Sequence, residues 1–241
     1  MKIKKTVELD RDELNIFTKT VDELRKWLFQ FLKKHGYKNI MINDDYILAK
    51  SDLKEAPTLC AHMDTVWEET PLIYNSYYKN TYIYWGEQGL GADDRAGIIA
   101  IKRVVEAGFR PHIIFTNYEE TGGQGAIELV MNHIVIPLDT PFVIELDREG
   151  KDDAVFYNCI NEDFKRYILS FGFKEKRGTF SDIYFIGPGW DIATVNISTG
   201  YYNEHTVFEY LNMKDFNNML FRLEKILKDN LNNKVKYYGH F

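Results

Sequence analysis

Short apolar runs alternate with helix-patterned stretches along this chain, and where the apolar runs stop, histidines and acids begin. The β-like runs cover 39–42, 46–50, 57–63, 111–118, 141–146, 154–160 and 192–198, with a Tyr- and Ile-rich hairpin over 72–85. Apolar residues at helical spacing (Leu14, Phe17, Val21, Leu24, Trp27, Leu28, Phe31) predict a first helix over 10–35, stopped by Gly36. Further helices are expected over 95–107, 125–132, 162–171 and 214–231. Strands alternating with helices predict an α/β fold with helices packed on a largely parallel sheet. In such sheets active sites gather at the carboxyl ends of the strands.

Composition narrows the function. The chain has 241 residues, is 45% hydrophobic and 27% charged, and carries 30 Lys+Arg against 36 Asp+Glu for a net charge of −6. This argues against a nucleic-acid binder, which usually shows a basic face. No apolar run approaches the roughly 20 residues of a membrane-spanning helix, and no signal-peptide h-region follows the basic start. The two cysteines, Cys60 and Cys159, lie in apolar stretches and read as reduced core residues, so a cytoplasmic location is expected. No repeat or Pro/Ser linker interrupts the chain, which reads as one catalytic domain over 1–241. The tail 232–241 reads either as a frayed end or as a dock for a partner chain.

Five segments concentrate the chemistry. In 61–65 (AHMDT), His62 and Asp64 are spaced i, i+2, which on a strand places both on one face; Asp64 can orient the second ring nitrogen of a metal-binding His62. In 89–97 (GLGADDRAG), Asp93 and Asp94 open a helix behind a glycine-rich turn. Acids favour that position for capping alone, and a phosphate loop is unpersuasive without GK[ST]. In 117–126 (NYEETGGQGA), Glu119 and Glu120 follow a strand and diverge, so one can bind a metal while the other reaches a water. Glu145 and Asp147 share a face in 144–148 (IELDR), and His205 lies in the polar turn 199–206. Together they form a ligand set for two divalent cations, and imidazole with carboxylate suits zinc, with manganese or cobalt as alternatives. Two dications are matched by Asp93, Glu120, Asp147 and a bridging hydroxide, a nucleophile near neutral pH.

AHMDTV, GLGADDRAG, EETGGQGA, the ELD strand end and the final NEH, in this order from 61 to 205, resemble the co-catalytic dizinc exopeptidases, the superfamily of aminopeptidases, peptidase T-like tripeptidases and glutamate carboxypeptidases. The resemblance implies a three-layer α/β/α fold with a mixed, mostly parallel sheet. It implies that His62 and Asp147 hold one zinc, Glu120 and His205 the other, and that Asp93 bridges them. Glu119 would be the general base, Asp64 would orient His62, and the Asp93–Asp94 peptide would be cis. Only about 35 residues separate Asp147 from Ser181 and Asp182, too few for the lid or dimerisation domain of many relatives.

The implied activity is hydrolysis of short peptides or amino-acid amides, with an aminopeptidase favoured. The alternatives are a carboxypeptidase, an N-acyl amino acid amidohydrolase, or a non-catalytic scaffold on the same fold. A homo-oligomer that closes the site would suit a lid-less chain. For a substrate α-ammonium, Glu204, Asp94 and Glu145 are candidates; for an α-carboxylate, Arg95 and Arg148. Asp182 either lines the substrate pocket or caps a helix, and the aromatic segment 74–85 either walls the pocket or packs on itself.

Overall fold

The helical pattern over 10–35 resolves into two helices, α1 (Arg11–Phe17) and α2 (Val21–Lys34). Each starts with a capping box: Asp10 with Glu13, and Thr20 with Glu23. The second box satisfies the first amides of α2 and so makes a new helix start at Thr20. The apolar spacing runs unbroken from Phe17 to Val21 and hides this break. The computed structural model of the chain describes residues 1–133, 138–233 and 235–241.

The remaining elements follow as β1 (Asn39–Ile42), β2 (Tyr46–Lys50), β3 (Thr58–His62), β4 (Ile73–Tyr78), β5 (Thr81–Gly86), α3 (Ala92–Glu106), β6 (His112–Thr116) and α4 (Gln124–Asn132). Then come β7 (Val143–Arg148), β8 (Asp153–Val155), α5 (Glu162–Leu169), β9 (Lys174–Lys176), α6 (Ile183–Trp190), β10 (Thr194–Ser198), β11 (Tyr201–Tyr202), β12 (Tyr210–Asn212) and α7 (Met213–Asn232). The β-like run 154–160 keeps only the short β8, because Asn161 already caps α5 through the Phe164 amide. The helix expected from 95 is present as the continuous part of α3; Asp93 and Asp94 are non-helical and put a kink between Ala92 and that part.

Eight strands form one mixed sheet in the order β1-β2-β6-β3-β7-β10-β8-β9. The central strands β6, β3, β7 and β10 pair in parallel, while β1, β2 and β8 pair antiparallel to their inner neighbours. A second, antiparallel sheet has the order β11-β12-β5-β4. Side chains of the central strands alternate between two cores. Leu59, Ala61, Ile113, Phe115 and Ile144 pack with α1, α2, α3 and α7, whereas Cys60, Ile114 and Val143 pack with α4 and α6. Helices therefore cover both faces, giving three layers. Gly97 lets α3 lie close to β7, since a side-chain carbon there would strike the Leu146 carbonyl and the Asp94 carboxylate.

Both cysteines are buried and free. Among the described residues no helix is long and apolar enough to cross a membrane. The tail packs on its own chain: the Tyr237 amide donates to Pro141, Tyr237 stacks on Tyr167, and Tyr238 bridges to Ile192. Its Lys234 lies outside the described residues.

Candidate metal centre

Because β6, β3 and β7 are neighbours, the segments leaving their carboxyl ends meet at one place. His62 is the last residue of β3 and Asp147 the penultimate residue of β7. Asp93 enters from the non-helical kink at the start of α3, and its peptide to Asp94 is cis. Glu119 and Glu120 lie in the turn that follows β6, after Tyr118 in the left-handed region, and His205 reaches in from the connection between β11 and β12.

His62 is fully buried, with Nε2 3.0 Å from Asp93 Oδ1 and 3.5 Å from Asp147 Oδ1. Its Nδ1 faces Asp64, 3.1 Å from the main-chain oxygen and 3.4 Å from Oδ1. His205 Nε2 lies 3.1 Å from Asp93 Oδ2 and 2.9 Å from Glu120 Oε2. Asp93 thus stands between the two imidazoles, one oxygen to each. Asp64 does more than face His62: its two oxygens accept the amides of Glu119 and Glu120, at 3.2 and 3.1 Å, which ties the glutamate turn to the end of β3.

The electrostatics are those of an acid-rich cleft. Burial drives the Asp147 carboxyl up to about 8, with Asp93 adding repulsion. Glu120 is pushed to about 7 by burial and Asp93. Burial also raises Asp93, but hydrogen bonds from His205 and His62 outweigh it and hold that carboxyl below its usual range. His205 is lifted to about 9, first by its bond to Asp93. Burial drives the Glu119 carboxyl up, His62 pulls it back, and Asp147, Asp93 and Asp64 push again, leaving it at about 7.

These residues fit a divalent cation. Donor atoms of His62, Asp93 and Glu120 lie within 4.8 Å of one another, as do those of His62, Asp94 and Asp147. Glu120 Oε1 is buried with no hydrogen-bond partner among the described residues. Imidazole and carboxylate donors without thiolate are the chemistry of zinc, manganese or cobalt.

Beside the cluster opens a cavity of about 280 Å³, lined among others by Glu119, Arg148, Glu149, Tyr157, Phe180 and Glu204. Of the residues considered for substrate, Glu204 and Arg148 line it. Asp182 does not: it is fully buried, takes a hydrogen bond from the Thr116 hydroxyl, and makes no side-chain cap although it stands at the N-cap position of α6. Arg95 turns away as well, its guanidinium donating to the Ile16 and Lys19 carbonyls. Asp94 accepts the amides of His62 and Gly97, and Glu145, inside the central strand β7, accepts the Ser181 hydroxyl. The aromatic segment packs on itself, Tyr74 against Trp85 and Tyr77 against Tyr82, and is absent from the cavity wall.

Three supporting residues escaped the sequence reading. Glu209, fully buried, accepts the amides of Leu90, Gly91 and Asp93 at 2.9, 2.6 and 3.0 Å and so shapes the turn that presents Asp93. The Tyr201 hydroxyl donates to Asp147 Oδ1 at 3.1 Å. Asn196 brackets the main chain of Asp147, accepting from its amide at 3.0 Å and donating to its carbonyl at 2.7 Å. Asn196 carried a signal, being an amide side chain inside an apolar strand.

In fold the chain is similar to a tripeptidase from Staphylococcus aureus subsp. aureus mu50, with a TM-score of 0.70 and 14% identity over 92% of this chain and 97% of that one. Aminopeptidase PepT from Bacillus cereus ATCC 10987 matches with a TM-score of 0.68 and 14% identity over 90% and 96%. A glutaminyl cyclase from Bacteroides thetaiotaomicron, bound to N-acetylhistamine, matches with a TM-score of 0.64 and 16% identity over 90% and 94%. No protein-family model and no curated protein sequence matches the chain. The chain therefore has the mixed α/β fold of these aminopeptidase-like structures. A fold of this kind hosts more than one chemistry, so function has to be argued from the site.

Proposed function

We propose that this chain is a two-metal aminopeptidase that releases N-terminal residues from short peptides. The observation that supports it best is the convergence of two histidines and three carboxylates at adjacent strand ends, with Glu119 beside them on the cavity. His62 and Asp147 would hold one zinc, Glu120 and His205 the other, with Asp93 shared. When bound, the metal ions would polarise the scissile carbonyl and lower the pKa of a water in the cleft. Glu119 takes a proton from the attacking water and returns it to the leaving amine, a role that burial favours by pushing its carboxyl up from the usual range. Asp64 holds His62 and the glutamate turn in register, so base and ligand keep a fixed relation. Glu149 and Glu204 on the cavity wall supply acceptors for a substrate α-ammonium, which favours a free N-terminus over a blocked one.

The test is metal content per chain, on protein purified without chelators or a histidine tag, followed by a panel of peptides with free and acetylated N-termini. We expect the cleft to hold about two zinc, manganese or cobalt ions per chain, lost in His62→Ala and His205→Ala, and cleavage restricted to free N-termini. A folded chain that takes up no metal would overturn the reading, and cleavage of N-acylated substrates alone would replace it with the amidohydrolase.

A further inference from the structure

The strands that carry His62 and Asp147 repeat the same arrangement one step deeper. Cys60 precedes His62 by two residues on β3, and Glu145 precedes Asp147 by two on β7. Each pair therefore faces one side of the sheet, about 6.6 Å apart along its strand. Cys60 and Glu145 are register partners across the parallel ladder, and Asp182, just before α6, completes a triangle with them. Donor atoms of the three lie within 4.8 Å of one another, and all three residues are wholly buried.

Their hydrogen bonding is incomplete in a specific way. The Ser181 hydroxyl donates to Glu145 Oε2 and the Thr116 hydroxyl to Asp182 Oδ2. The other oxygens, Glu145 Oε1 and Asp182 Oδ1, are buried with no hydrogen-bond partner among the described residues. Left so, the two oxygens bear the cost of burying polar groups without hydrogen bonds. A cation between the carboxylates and the sulfur satisfies both oxygens at once.

We propose that Cys60, Glu145 and Asp182 form a second, buried site for one divalent cation of the zinc class, separate from the centre in the cleft. The donor set selects the metal: zinc and cobalt accept thiolate together with carboxylate, whereas magnesium and calcium take oxygen alone. Thr116 and Ser181 serve as the outer hydroxyls that orient metal-ligating carboxylates. The site is closed to solvent, so its role is to tie β3, β7 and the start of α6 together beneath the cleft. This inference does not depend on the proposed peptidase activity.

Cobalt(II) loading of the full chain tests it, because the cleft offers no thiolate. The expected result is a sulfur-to-cobalt charge-transfer band in the near ultraviolet, present in wild type and Cys159→Ser and lost in Cys60→Ser. Metal content should fall by about one ion per chain in Cys60→Ser and in Glu145→Gln, with the visible cobalt absorption of the cleft retained. If Cys60→Ser fails to fold, the band in Cys159→Ser and its loss in Glu145→Gln carry the test. A cobalt-loaded cleft with no thiolate band overturns the second site and leaves the proposed function standing. A band that survives Cys60→Ser overturns it too, and a folded chain that binds no cobalt at all overturns both.

Discussion

In the eight-stranded sheet β3, β6 and β10 are buried at every residue, whereas β4, at the edge of the four-stranded sheet, exposes five of its six. The same residue types mean different things in the two places. A polar group inside a strand covered on both faces costs free energy unless something answers it, so His62, Glu145, Asn196 and Asp147 stand out as groups with partners to find. On β4, Tyr74 and Tyr77 pair with Trp85 and Tyr82 of β5 and face solvent, which an edge strand tolerates without any ligand.

The largest effect that would sharpen this contrast is chemical. Glu119→Gln should bind metal as wild type does while turnover falls by about 10²- to 10⁴-fold, the usual worth of a general base; unchanged turnover would remove Glu119 from the role. Next in size is packing. Ile114→Ala at the centre of β6 should cost about 2–5 kcal/mol in denaturant unfolding, whereas Tyr77→Ala on β4 should stay within about 0.5 kcal/mol. Equal losses would erase the difference between the sheets. Glu209→Gln sits at their junction: it keeps the size of the side chain but removes the charge that gathers the Leu90, Gly91 and Asp93 amides. Metal affinity should drop about 10- to 100-fold, the range for partners that orient a ligand, and competition with a chromogenic chelator would read it.

The smallest effect concerns the N-terminal segment against α7. Glu224 is raised by burial, but bonds from Lys228, Lys5 and the Ile3 amide outweigh this and bring its carboxyl to about 2. A depressed carboxyl contributes stability that is fully present above its unfolded value near 4.5 and is lost as pH falls from there towards 2. Glu224→Gln should lower stability by about 1 kcal/mol at pH 7 and by little at pH 2.5, measured as unfolding midpoints. An equal loss at both pH values would assign the effect to packing instead of charge.

Much of the candidate site was legible because its residues interrupt local patterns. His62, Asp93, Glu119, Glu120 and Asp147 each end an apolar run or follow a glycine-rich turn, His205 sits in a polar turn after a strand, and the structure brings all six to one cleft. The alternation that predicted the α/β layers is likewise a local property, since strand and helix periods are set by backbone geometry. The break before α2 was present as a Thr20–Glu23 box but lay under an apolar period that continued across it.

Other assignments had no local signature. Arg95 and Arg148 both follow an acidic motif residue, yet one is turned into the carbonyls of the α1–α2 connection and the other borders the cavity. Glu209 reaches the Asp93 turn from 116 residues away in the chain, and Tyr201 reaches Asp147 from 54. Residue order by itself determined which side chains share a strand face, and so the spacing of Cys60 to His62 and of Glu145 to Asp147. Only the tertiary structure decided that β3 lies between β6 and β7, with Cys60 opposite Glu145. The pleat is a property of each strand alone, whereas the neighbour across the ladder is chosen by how the crossover helices bury their apolar faces.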